Sequence, residues 1–102
     1  AQVYLDQAMQ LGQSRHYRQL PAIAWRLQGR IWQAQGKFED AQPCFERSLA
    51  ELAALEDPIE YARTEEAYGL FYLARDKEGD VERGQKLIKS AQATFQRLGV
   101  NG

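Results

Sequence analysis

The sequence predicts an all-α fold built from antiparallel helical hairpins. Apolar or small residues recur in steps of three and four over 38–55 and again over 81–98, which is the spacing of one helix face. The chain has three prolines, Pro21, Pro43 and Pro58, so long windows stay free for helix. The segment 36–55 also matches the segment 79–98 after a shift of 43 residues. A repeated helical unit of this length is typical of stacked hairpins.

Local signals predict the first two helices. Residues 2–11 form a short helix that Gly12 ends, and residues 13–17 form a polar connector. The second helix runs from about 18 to 35, with Pro21 in its first turn, where a missing N–H costs little.

The third and fourth helices have equally local boundaries. Gly36 ends the second helix, and the periodic segment 38–55 follows it directly. The fourth helix covers about 59–77, because Asp57 and Pro58 supply an N-cap and a first-turn proline.

The fifth helix covers 81–98. Gly79 is expected to end the preceding helix and Asp80 to cap this one, while Arg97 lies favourably near its C-terminal end. A tail, 99–102, completes the chain.

Composition excludes several classes of protein. The 102 residues fit one domain, and the formal net charge of −1 gives no basis for nucleic-acid binding. No apolar run approaches the ~20 residues of a membrane span. Cys44 is the only cysteine and His16 the only histidine, so no internal disulfide and no metal-ligand cluster can form. We expect a cytoplasmic protein without metal or cofactor.

The sequence shows no catalytic arrangement. The neighbouring carboxylates Glu65 and Glu66 do not face each other on a helix, and the run from Asp76 to Asp80 is expected to be an exposed turn. No glycine-rich phosphate loop is present, and Cys44 is expected to be an inert thiol in the core or half-buried. We therefore predict that the chain is not an enzyme.

The two repeats share a pattern of aromatic, glycine and small residues. The first repeat carries it at Trp25, Gly29, Trp32, Gly36, Phe38, Ala41 and Phe45. The second carries it at Tyr68, Gly69, Tyr72, Gly79, Val81, Gly84 and Ile88. This pattern resembles the tetratricopeptide repeat, in the long form of kinesin-light-chain-like arrays and of bacterial signalling regulators. Small residues at helix crossings let two backbones approach, and aromatic residues fill the space between hairpins.

The resemblance implies a right-handed tetratricopeptide-type α-solenoid in a single domain, 1–102. In that arrangement 1–12 is the second half of a preceding helix B, 18–56 and 59–98 are full repeats, and 99–102 is a tail. The sequence departs from the family pattern at Gln28, Glu65 and Gly84, and its spacing of 40–43 residues exceeds the usual ~34. A HEAT or armadillo repeat is the rival at this period.

The resemblance also implies a binding groove on the first helix of each hairpin. The groove-facing residues are then Ile23, Arg26, Arg30, Gln33 and Ala34 from one repeat, and Arg63, Glu66, Leu70 and Leu73 from the next. Three arginines in one groove would suit a carboxylate or a phosphorylated segment. The alternative is that they are solvated or paired with Glu60 and Glu66.

Three functions remain open at this point. The first is a non-catalytic scaffold that binds a protein or peptide, possibly acidic, in the groove. The second is a regulatory or spacer segment inside a larger signalling ATPase, cyclase or transcription regulator. The third is self-association through the open ends of the solenoid.

Overall fold

The computed structural model describes residues 18–100, and this part of the chain is all-helical, as predicted. It contains four helices: α1 (Leu20–Ala34), α2 (Phe38–Ala54), α3 (Pro58–Arg75) and α4 (Asp80–Leu98). The predicted helix over 2–11 lies outside the described residues. Within 18–100 no helix has the length and apolar character that crossing a membrane requires.

The predicted helix starts and stops agree with the structure at the first two connections. Pro21 lies in the first turn of α1, and Gly36 adopts a left-handed conformation (φ 75°) between α1 and α2. Asp57 caps α3, because its side chain accepts a hydrogen bond from the Glu60 backbone N–H at 3.1 Å.

The connection between α3 and α4 differs from the prediction. Helix α3 ends at Arg75, where left-handed Asp76 (φ 54°) is the C-cap, and Gly79 is the N-cap of α4 rather than the end of α3. Asp80 is the first residue of α4 and is fully buried. Its carboxylate accepts hydrogen bonds from Arg75 at 2.8 and 2.9 Å and from the Lys77 backbone N–H at 2.9 Å. The Asp80 carboxylate therefore stabilises the turn between α3 and α4 from a buried position. The expectation that Asp80 is exposed is wrong.

Each helix packs against the next one along the chain, and α1 also packs against α3. The main core lies between α2 and α3, with buried members Ala41, Phe45, Tyr68 and Phe71. The rings of Phe45 and Tyr68 stack with their centroids 5.5 Å apart. Trp32 of α1 packs against this cluster, so aromatic side chains join the two hairpins.

Two glycines allow α3 and α4 to cross in backbone contact. A Cβ atom added to Gly69 would lie 2.7 Å from the carbonyl oxygen of Gly84, and one added to Gly84 would lie 2.7 Å from that of Gly69. Gly29 of α1 is less crowded, because an added Cβ would meet the ring of Phe45 at 3.1 Å. The close approach of α3 and α4 is what glycines at a helix crossing predict.

We expect Gly69→Ala to lower the free energy of unfolding by about 2 kcal/mol, although alanine alone would gain about 1 kcal/mol of helix propensity. The added methyl group overlaps a backbone carbonyl that cannot move without separating α3 from α4. Urea unfolding followed by circular dichroism measures the change. Gly29→Ala is the control. It should lower the free energy of unfolding by less than Gly69→Ala does, since the Phe45 side chain can move away from the added methyl group. Equal stabilities of Gly69→Ala and the unmodified chain would refute this interpretation of the crossing.

The buried Asp80 carboxylate makes the free energy of unfolding depend on pH in the acid range. Hydrogen bonds from Arg75 hold the pKa of Asp80 at about 2, below its usual 3.8. Because the folded-state pKa is the lower one, this contribution is present above about pH 4 and is lost as the pH falls through about 2. We expect the free energy of unfolding to fall more steeply over that range in the unmodified chain than in Asp80→Asn.

The matched control for this titration is Asp40→Asn, because Asp40 is exposed and lies in the first turn of α2. It should keep the steep acid dependence of the unmodified chain. Urea unfolding at several pH values between 2 and 7 measures both variants. A slope that is the same for Asp80→Asn and the unmodified chain would contradict the prediction.

Candidate functional site

A cleft of about 530 Å³ opens between α1 and α3. Its lining residues are Arg26, Arg30, Gln33 and Ala34 from α1, and Arg63, Glu66, Ala67, Leu70 and Ala74 from α3. Seven of the nine residues predicted from the sequence to face the groove therefore line one cavity. Their binding role stays a prediction.

Two predicted groove residues lie elsewhere. Leu73 packs towards α4, because a Cβ atom on Gly84 would meet its Cδ2 at 3.1 Å. The reason is helical phase: Leu73 follows Gly69 by four residues and shares the face that crosses α4. Ile23 is half-buried and does not line the cleft.

Glu60 bridges two of the three cleft arginines. Its Oε1 accepts a hydrogen bond from Arg26 Nη1 at 3.0 Å, and its Oε2 accepts one from Arg63 Nη1 at 2.6 Å. The side chains of Arg26 and Glu60 are 13% and 15% exposed, whereas that of Arg63 is 46% exposed. Pairing with Glu60, the alternative left open by the sequence, is thus correct for Arg26 and Arg63.

Buried hydroxyl groups hold Arg26 in place. Its Nη1 also donates to Thr64 Oγ1 at 3.2 Å, and Thr64 Oγ1 lies 3.2 Å from Ser48 Oγ. Ser48 Oγ donates in turn to the Ala22 carbonyl oxygen at 2.7 Å. Ser48 and Thr64 are fully buried, so this chain of polar contacts ties α1, α2 and α3 together beneath the cleft.

Arg30 differs from the other two arginines. It is exposed and makes no hydrogen bond or ion pair with any residue in 18–100. Leu70 lines the same cleft and is 51% exposed, so an apolar surface accompanies the arginine charge. With Glu60 and Glu66 included, the three arginines leave the cleft with one net positive charge. The cleft can offer guanidinium donors and an apolar contact to one ligand.

Outside the cleft, Glu65 is a second carboxylate, after Asp80, that the structure buries. It is buried rather than solvated, and Ser90 Oγ donates to its Oε2 at 2.8 Å. Burial raises the pKa of Glu65 above its usual range. Glu65 lies four residues before Gly69 and so on the same α4-facing side of α3. The aromatic residue that the repeat pattern places there already indicated a buried position.

The hydroxyls of Tyr68 and Tyr72 form a hydrogen-bond network with Gln42 and Glu46, whereas the buried Trp25 Nε1 has no hydrogen-bond partner within residues 18–100. Tyr72 donates to the Tyr68 hydroxyl at 2.9 Å, Tyr68 donates to Glu46 at 3.1 Å, and Gln42 donates to both hydroxyls. Burial raises the pKa of the Tyr68 hydroxyl far above its usual range, and it raises the pKa of the Cys44 thiol, as an unreactive cysteine requires. Among residues 18–100, no group of three or more His, Cys, Asp or Glu side chains is placed to hold a metal ion.

Comparisons with protein-family models, with curated proteins and with solved structures found no match for this chain.

Removing Arg26 should destabilise the fold, whereas removing Arg30 should not. We expect Arg26→Ala to lower the free energy of unfolding by about 1–3 kcal/mol, because Thr64 and Glu60 lose a buried donor. Arg30→Ala is the matched control on the same helix and should change it by less than about 0.5 kcal/mol. Thermal and urea unfolding measure both. Equal losses in the two variants would show that Arg26 has no special structural role.

Proposed function

We propose that this chain is a non-catalytic protein-interaction module that binds a segment of a partner protein between α1 and α3. The observation that carries the proposal is one cleft of about 530 Å³ in which Arg30, which has no partner among residues 18–100, accompanies a half-exposed Leu70. Exposed apolar side chains beside a few directed polar groups are the usual surface for recognising peptides.

The packing of the hairpins supports a tetratricopeptide-type arrangement within this proposal. Helix α3 packs against both α1 and α2, so the second hairpin rests on the whole of the first. Repetition of the same contact along further hairpins would generate a right-handed solenoid with the first helix of each hairpin on one side. The cleft between α1 and α3 would then be one section of a longer groove.

The charge of the cleft favours an acidic partner segment. Arg30 forms no ion pair with an acid among residues 18–100, and Arg63 remains half-exposed although it pairs with Glu60. Guanidinium groups bind carboxylates in paired, directed hydrogen bonds. The buried free thiol of Cys44 supports a reducing compartment such as the cytoplasm. A regulatory segment of a larger protein would use the same cleft for a segment of its own polypeptide.

Selection from a displayed random-peptide library tests the proposal, because no partner has to be known beforehand. We expect the selected peptides to combine acidic residues with an aliphatic one. Arg30→Glu should weaken their binding at least about tenfold, since it replaces the unpaired donor with a like charge. Fluorescence anisotropy with labelled peptides measures the dissociation constants.

Lys89→Glu is the control, because Lys89 is an exposed cation on α4 and does not line the cleft. It makes the same change of charge and should leave the affinity as it is. Peptides that bind Arg30→Glu as tightly as the unmodified chain would exclude the cleft as their site. A selection that yields no binding peptide at all would contradict the proposed function.

A further inference from the structure

The geometry of the Glu60 bridge determines which guanidinium donors face a ligand. Glu60 binds Nη1 of Arg26 and Nη1 of Arg63. The Nε and Nη2 groups of both arginines make no hydrogen bond within residues 18–100, and both side chains line the cleft. In a guanidinium these two groups form the edge that binds an anion in bidentate fashion. Glu60 therefore engages Nη1 of each guanidinium and leaves that edge without a partner among residues 18–100, on a half-exposed side chain in the case of Arg63.

The charge around the bridge favours an anion of more than one charge, and Glu66 lowers the net charge of the whole cleft to one. We name Arg26, Arg30, Arg63 and Glu60 the arginine end of the cleft. Together these four side chains carry two net positive charges, because one carboxylate neutralises one of three guanidinium groups. A carboxylate ligand brings one charge and two oxygens, which fill one guanidinium edge. A phosphomonoester brings close to two charges and three oxygens, which are enough for two guanidinium groups, and Arg30 and Arg63 line the same cleft.

The apolar part of the cleft lies at a defined distance from the arginine end. Leu70 follows Arg63 by seven residues on α3, which is about 10 Å along a helix. About three residues of extended chain span that distance. A ligand segment would therefore carry its anionic group and an aliphatic side chain about three positions apart.

We propose that the arginine end receives a phosphorylated serine or threonine of the partner segment, with an aliphatic residue of that segment against Leu70. This inference rests on the proposed function and names the ligand chemistry of the same cleft. Glu66 borders the arginine end, and no residue in 18–100 pairs with it. Its charge weakens dianion binding, so Glu66→Gln tightens it.

Three degenerate peptide libraries test the proposal. They share random flanking positions and a leucine three positions away on either side, and they differ in one fixed residue: serine, glutamate or phosphoserine. We expect the phosphoserine library to bind about tenfold more tightly than the other two in fluorescence anisotropy. Glu66→Gln should increase that preference. Arg63→Gln and, separately, Arg30→Gln should remove it, while Lys89→Gln should keep it.

Folding of these variants is checked by thermal melting. Arg30→Gln breaks no hydrogen bond or ion pair with residues 18–100, and Arg63→Gln leaves Glu60 paired with Arg26, so a lost preference reports binding. Equal binding of the glutamate and phosphoserine libraries would overturn the inference while the proposed function stands. No binding of any library would overturn both. Inorganic phosphate tests the other source of the anion: full displacement at equal concentration would assign the site to free phosphate and overturn the role of a partner segment.

Discussion

The buried hydroxyl pair of Ser48 and Thr64 is the contact on which the arrangement of the first three helices depends. Ser48 belongs to α2 and donates to the Ala22 carbonyl of α1, while Thr64 belongs to α3 and accepts from Arg26 of α1. Both hydroxyls are fully buried, so their hydrogen bonds have no competing water. A shift of α3 relative to α1 would break the hydrogen bond from Arg26 to Thr64, at a cost of about 1.5–3 kcal/mol for a bond to a charged group, while Thr64 would keep its bond to the Glu60 carbonyl oxygen. The network thereby sets the width of the cleft above it.

Because of this network, the three cleft arginines have different roles. Arg26 is hydrogen-bonded to Thr64 and Glu60 and stabilises the fold. Arg30, which is unpaired within 18–100, and Arg63, which is half-exposed, are available to a ligand. Glu60 connects the structural arginine to an exposed one, since its Oε1 accepts from Arg26 and its Oε2 accepts from Arg63. A site with a rigid base loses less entropy on binding than one built from free side chains alone. The proposed partner segment would meet donors that are already oriented.

The sequence predicted what depends on neighbouring residues and missed what depends on distant ones. Helix limits at Gly36 and Asp57 follow from local backbone preference and capping, so the structure agrees with them. The buried Asp80 carboxylate is paired with Arg75, the last residue of α3, and the sequence predicted that α3 would continue to about residue 77. The role of Arg26 depends on a carboxylate 34 residues away. Helical spacing placed Arg26 in the cleft but could not show which charge it would face.

A double-mutant cycle between Arg26→Ala and Thr64→Val measures the central claim directly. Valine keeps the shape of threonine and removes the hydroxyl that joins the arginine to the buried network. Urea unfolding of the two single variants, the double variant and the unmodified chain gives the coupling free energy. If the hydroxyl network supports the cleft, the coupling is at least about 0.5 kcal/mol. Effects that add within about 0.3 kcal/mol would show that the arginine and the network are independent, contrary to this account.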